Sequence, residues 1–225
     1  MHEYVTRYDY TFLVGAPGSR WSGIAQIITK NFNYNNEDET DWRVYRHGDF
    51  SGHKGSYFGP SMELGHDFHM LETRYGNDIT EFKLECDRAF DGKGTGTKMI
   101  KCHQFAYNLD WLYNNVPNSN ILLVKRGNQE CFDWWKQAGG WDITYPKYDW
   151  YVDDHHMKHY IEAENLLANL FVDELSDFTE EWITDNFGKH SIKLDMKKYN
   201  DVKVCLVRTN KLDIFQINAI FVYNN

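Results

Sequence analysis

The chain has 225 residues, 42% of them apolar and 16% aromatic, with a formal net charge of −9. This length suits one α/β domain with loop insertions, spanning 1–225, that buries a sizeable core without disulfide or metal staples. The acidic balance argues against nonspecific binding to nucleic acid or anionic membranes, so any phosphate site must be a local basic patch.

The N-terminal stretch Met1–Tyr10 is polar and lacks the apolar centre of a signal peptide. Cys86, Cys102, Cys131 and Cys205 are scattered with no CxxC pair. Together these features predict reduced thiols and a cytoplasmic protein. No apolar run reaches the length of a membrane span.

Tyr10–Val14 reads as a short strand, Gly15–Gly23 as a glycine-rich turn, and Ile24–Ile28 as the apolar face of a helix ending near Lys30. Strand, glycine-rich turn and helix form the layout of a phosphate-binding loop. Residues 31–97, rich in Gly, Asn, Asp and aromatics, read as an irregular insertion with short elements such as Thr80–Cys86. Lys98–Lys101 predicts a strand, and Phe105, Leu109 and Leu112 predict a helix over 104–115. Val116–Asn120 is a turn, and the fully apolar Ile121–Val124 suits a central parallel strand.

A helix follows over 128–138, ending at Gly139-Gly140, then an aromatic loop over 141–151. A long amphipathic helix is expected over 153–175 through Tyr160, Leu167, Leu170 and Phe171, and a short one over 179–186, stopped by Gly188. Val202–Val207 and Ile214–Val222 read as late strands turning at Thr209–Lys211. The alternation predicts an α/β fold, a mostly parallel central sheet flanked by helices in a three-layer sandwich.

Backbone amides of the Gly15–Gly23 turn would converge with the positive end of the following helix on one anion. Ser19 and Ser22 offer hydroxyls there, and Arg20 a cation. An ordinary Pro-Gly turn is the plainer alternative. A strict G-x-x-x-x-G-K-[ST] motif is absent, because Arg20 and Trp21 stand where Gly and Lys would be required. The strand Ile121–Val124 leads into Lys125-Arg126 rather than the carboxylate a magnesium-dependent phosphotransferase needs. Leu170–Glu174 offers an apolar run followed by acids, but inside a helical pattern.

Lys101 and His103 sit at a strand end, where open α/β sheets face their ligand crevice, and a histidine there could serve as general base. His155 and His159 share a helix face four residues apart, a metal-compatible spacing, yet no third ligand is evident and an acid-capped, solvated helix start explains the run more simply. His66, Asp67 and His69 are a similar cluster. Gly92–Thr97 reads as a turn into the next strand, and the aromatics between Trp134 and Tyr151 as either core or an acceptor wall.

In order and spacing these segments resemble the sulfotransferases. That family carries a G-x-P-[RK]-S-G-[TS]-[TS] loop, then K-T-H, then an apolar strand leading to an Arg. Here Gly15, Pro17, Ser19 and Ser22 match the loop, Lys101 and His103 match K-T-H, and Arg126 follows the apolar strand. The matched pieces cover about 10–30 and 98–135, and the aromatic tract resembles phage-encoded members of the group.

The resemblance implies a P-loop NTPase-like, sulfotransferase-like fold. It implies the sulfate donor PAPS held by Gly15, Pro17, Gly18, Ser19, Arg20, Trp21 and Ser22, with the 3′-phosphate near Arg126. His103 would be the base, and Lys101 and Arg20 would stabilise developing charge. The acceptor would be a hydroxyl of a small molecule or glycan, and no metal is required. Besides Arg20, which stands where the pattern has a Gly, two positions depart from it: Gly18 replaces a basic residue, and Trp134 stands where a phosphate-binding Ser is usual. They favour a noncatalytic binding protein on the same fold as the alternative, with a degenerate P-loop nucleotide kinase as a further one.

Overall fold

A computed structural model describes residues 8–35, 45–46, 52–53, 56–59, 63–65, 71–76, 78–92, 94–143, 151–190 and 194–209. Its strands are β1 (Tyr10–Gly15), β2 (Tyr45–Arg46), β3 (Gly52–His53), β4 (Ser56–Tyr57), β5 (Lys98–Lys101), β6 (Ser119–Lys125), β7 (Ser176–Asp177) and β8 (Lys203–Arg208). Its α-helices are α1 (Trp21–Asn31), α2 (Leu71–Tyr75), α3 (Thr80–Asp87), α4 (Leu109–Asn115), α5 (Asn128–Gln137), α6 (Asp154–Phe171) and α7 (Glu180–Phe187). Short 3₁₀ turns cover His103–Asn108, Gly140–Asp142 and Met196–Tyr199.

Six strands form one mixed sheet in the order β4-β5-β1-β6-β8-β7. The β4-β5-β1-β6 half is parallel; β8 runs antiparallel to β6 and β7. The expected mostly parallel core is therefore present, with an antiparallel edge added by β8.

Period-two alternation divides the apolar residues between two faces. Tyr10, Phe12, Val14, Ile100, Ile121 and Leu123 join α3, α4 and the 3₁₀ turn before α4 on one face. Leu13, Met99, Leu122, Val124 and Val204 join α1 and α7 on the other. Helix α1 follows β1 and α4 follows β5, so successive crossovers lie on opposite sides of the sheet. The chain thus reverses its winding at β1, and in open α/β sheets ligands bind at the strand C-termini beside such a point.

The elements obey local rules. Helix α1 buries Ile24, Ala25 and Ile28 at helical spacing. Asp153 caps α6 by accepting from His156 N–H, and Thr179 caps α7 by accepting from Trp182 N–H. Gly188, at φ 101°, ends α7 as expected.

Three expectations are corrected. Residues 103–108 wind as a 3₁₀ turn before α4, though Phe105, Leu109 and Leu112 are buried as the spacing predicts. Helix α6 stops at Phe171, so Asp173 and Glu174 lie in an exposed loop and follow no strand. Its buried stripe is Met157, Ile161, Glu164, Asn165 and Ala168, while Leu170 is 74% exposed. The late strand at Ile214–Val222, the turn beyond Thr209 and the cluster His66, Asp67 and His69 lie outside the described residues. No helix among the described residues is long and apolar enough to cross a membrane.

Candidate anion-binding site

Strands β1, β5 and β6 end at the same edge of the sheet, and each delivers one predicted segment there. Gly15 closes β1. A Cβ on it would lie 2.7 Å from Ser19 Oγ and 2.9 Å from the Val124 carbonyl oxygen, so only glycine lets the loop fold back against β6. Gly18 has φ 82°, and a Cβ there would meet the Cys131 carbonyl oxygen of α5 at 1.9 Å. No larger residue fits at this position.

The cation comes two residues later. Arg20 precedes α1 in the left-handed region, at φ 66°, a conformation that costs a non-glycine residue about 1 kcal/mol. Its carbonyl accepts from the N–H groups of Gly23 and Ile24. The first-turn amides of Trp21 and Ser22 have no acceptor within the helix. Its guanidinium lies 3.8 Å from the centroid of the Trp134 ring. Trp134, the second departure, thus forms the stacking surface that holds Arg20.

Three side-chain atoms of this loop, Ser19 Oγ, Arg20 Nε and Ser22 Oγ, are buried and have no hydrogen-bond partner among the described residues. Each such orphan costs about 1–3 kcal/mol unless a ligand or solvent satisfies it. Burial, then the neighbouring Arg126 charge, lowers the Arg20 pKa below its ordinary value. An added anion would favour the charged guanidinium and so offset both effects.

Arg126 leaves the C-terminal end of β6 beside this loop. Its Nε and Nη2 donate to Asp201 Oδ2 at 2.7 and 2.6 Å, and its Nη1 donates to the Glu130 carbonyl at 2.9 Å. The two arginines therefore converge, with Asp201 as the carboxylate on Arg126.

Beyond β5, His103 is only 4% exposed. Its Nδ1 lies 2.6 Å from Glu164 Oε1 and its Nε2 lies 2.8 Å from Glu63 Oε1, with the Tyr151 hydroxyl 3.4 Å from Nε2. Burial alone would lower its pKa. The charges of Glu164 and Glu63 and their hydrogen bonds outweigh that penalty and raise it to about 10. The ring is an imidazolium with both N–H groups engaged. In this arrangement both ring nitrogens are occupied by carboxylates.

Glu63 is carried by a segment that Gln104 clamps. Gln104 Oε1 accepts from Leu64 N–H and Gly65 N–H at 2.6 and 3.0 Å. Lys101 is fully buried, with Nζ 4.3 Å from the centroid of the Tyr57 ring. Trp21 joins the two regions, its ring 5.9 Å from Tyr57 and 6.3 Å from His103.

The structure therefore brings Gly15, Pro17, Gly18, Ser19, Arg20, Trp21, Ser22, Lys101, His103 and Arg126 to one edge. Lys101 lies beneath that edge rather than on it. Thr97, the last residue of the Gly92–Thr97 stretch, instead precedes β5 and lies at the opposite end. Sequence reading missed Glu63, Glu164, Tyr57 and Asp201. Only Glu164 carried a signal, as a carboxylate within the buried stripe of α6. His155 and His159 are exposed on the first turns of α6. Trp135, Tyr151 and Phe132 pack with α5 and α6 as core, and 144–150 lie outside the described residues. Comparisons with protein-family models, curated proteins and solved structures return no match.

Proposed function

We propose that the loop of residues 15–23 binds the phosphosulfate of PAPS and that the chain is a sulfotransferase. The observation carrying this reading is the set of buried, partnerless polar atoms on Ser19, Arg20 and Ser22, at a helix start and beside a second arginine. A P-loop NTPase-like sandwich is the fold this reading implies.

In the reaction, an acceptor hydroxyl oxygen attacks the sulfur of the donor. The bond from sulfur to the 5′-phosphate oxygen breaks, and that oxygen leaves as a phosphate oxyanion of PAP. Arg20 and the loop amides stabilise the leaving charge. The acceptor's proton passes to His103 Nε2, giving a sulfate ester and PAP. That step requires Glu63 to leave first and take the Nε2 proton with it, so that the neutral ring presents a lone pair at Nε2 while Glu164 keeps Nδ1–H and orients the ring. Lys101 contributes positive potential from below.

The lock on His103 favours a second reading, a noncatalytic anion-binding protein on the same scaffold. A thermal-shift panel of PAPS, PAP, ATP–magnesium and GTP separates the possibilities. The sulfotransferase reading expects PAP and PAPS to raise Tm and ATP–magnesium to leave it unchanged. Stabilisation by ATP–magnesium alone would replace it with a nucleotide kinase. Stabilisation by PAP, with no PAP formed from PAPS in the presence of small alcohols and glycans, would favour the binding protein.

A further inference from the structure

At the opposite end of the sheet, a cavity of about 230 Å³ lies against the α1 and α7 face. Phe32, Tyr34, Phe187 and Leu206 line it, with Asn120 and Arg208. Its volume equals about eight water molecules of liquid, room for one bicyclic ring system.

Four further observations say that this space is built to hold something. Asn120 is 4% exposed, and its Oδ1 is buried without a hydrogen-bond partner among the described residues, a costly group to place in a strand interior. Strand register sets Thr11, Asn120 and Arg208 side by side across β1, β6 and β8, on the face where Leu13, Leu122 and Leu206 follow. The apolar row thus turns polar where the cavity begins. Arg208 is exposed and forms no ion pair among the described residues. Phe32 and Phe187, with ring centroids 5.4 Å apart and planes tilted by 31°, give the cavity an aromatic side.

We propose that this cavity is a second binding site, for a small planar heteroaromatic acid. The rings of Phe32 and Phe187 take its face, Asn120 takes its N–H, and Arg208 takes its carboxylate. The site is independent of the loop of residues 15–23, which lies at the other end of β1.

The test is calorimetric titration of the full chain with indole-3-carboxylate, indole and benzoate, followed by the same titrations of Arg208→Ala and Asn120→Leu. Indole-3-carboxylate should saturate with a Kd of about 1 mM or tighter. Arg208→Ala should weaken it about tenfold and leave indole unchanged. Asn120→Leu should weaken indole and indole-3-carboxylate and leave benzoate unchanged. PAP binding should be unaltered in both variants, so a failure at the loop is told apart from a failure here. Absence of saturation in the wild type overturns the proposal, as does indole-3-carboxylate binding that Arg208→Ala leaves intact. Arg208 is exposed, so that variant serves even if Asn120→Leu does not fold.

Discussion

His103 is the residue whose chemistry depends most on its neighbours. Two carboxylates, contributed from 40 and 61 residues away, hold both ring nitrogens inside the protein. Because the folded pKa is raised above the unfolded one, near 6.5, this group contributes its full stability below about pH 6.5. The contribution is lost as pH rises through about 10. Urea unfolding of the wild type should therefore give a midpoint that falls between pH 7 and pH 10, and His103→Gln should remove most of that slope. Equal slopes in the two proteins would mean that the imidazolium is not held as described. None of this was legible in the sequence. Lys101-Cys102-His103 reads as a strand end with an available base, and nothing local to it announces Glu63.

The loop of residues 15–23 and helix α5 are coupled as elements. Gly18 touches the α5 backbone at Cys131, and Arg20 stacks on Trp134 of the same helix. Gly18→Ala must move α5 or the loop and also force a side chain into the left-handed region. Such strain costs about 1–3 kcal/mol. The expected result is a lower urea midpoint together with loss of anion binding; an unchanged midpoint would show that the loop does not rest on α5. The loop itself was readable, because an apolar run, a Gly-Ala-Pro-Gly turn and an apolar helix face follow one another without interruption. The role of Trp134 was not, since stacking between residues far apart in sequence leaves no periodic trace. Helix α6 misled in a different way. Tyr160, Leu167, Leu170 and Phe171 suggest one buried stripe, but α6 turns Glu164 and Asn165 inward to hold His103 and the Arg126 carbonyl.

At the scale of the whole molecule, winding reverses at β1 and gathers three strand ends around one loop. The parallel core could be expected from alternating strands and helices; the antiparallel β8 could not, because a strand with the apolar centre Val204–Val207 reads the same in either direction. The mixed sheet leaves two ends with different chemistry. One presents serines and arginines beside a helix start, and the other an aromatic cavity floored by Asn120.

The central claim is that Ser19, Arg20 and Ser22 are orphaned because an anion belongs among them. Isothermal titration of PAP into the wild type and into Ser22→Ala and Arg20→Ala at constant ionic strength tests it most directly. The account predicts saturable one-to-one binding to the wild type, weakened about tenfold in Ser22→Ala, the effect of losing one hydrogen bond to a charged group, and more in Arg20→Ala. Equal affinity in all three proteins, or no heat of binding to a folded wild type, would contradict it.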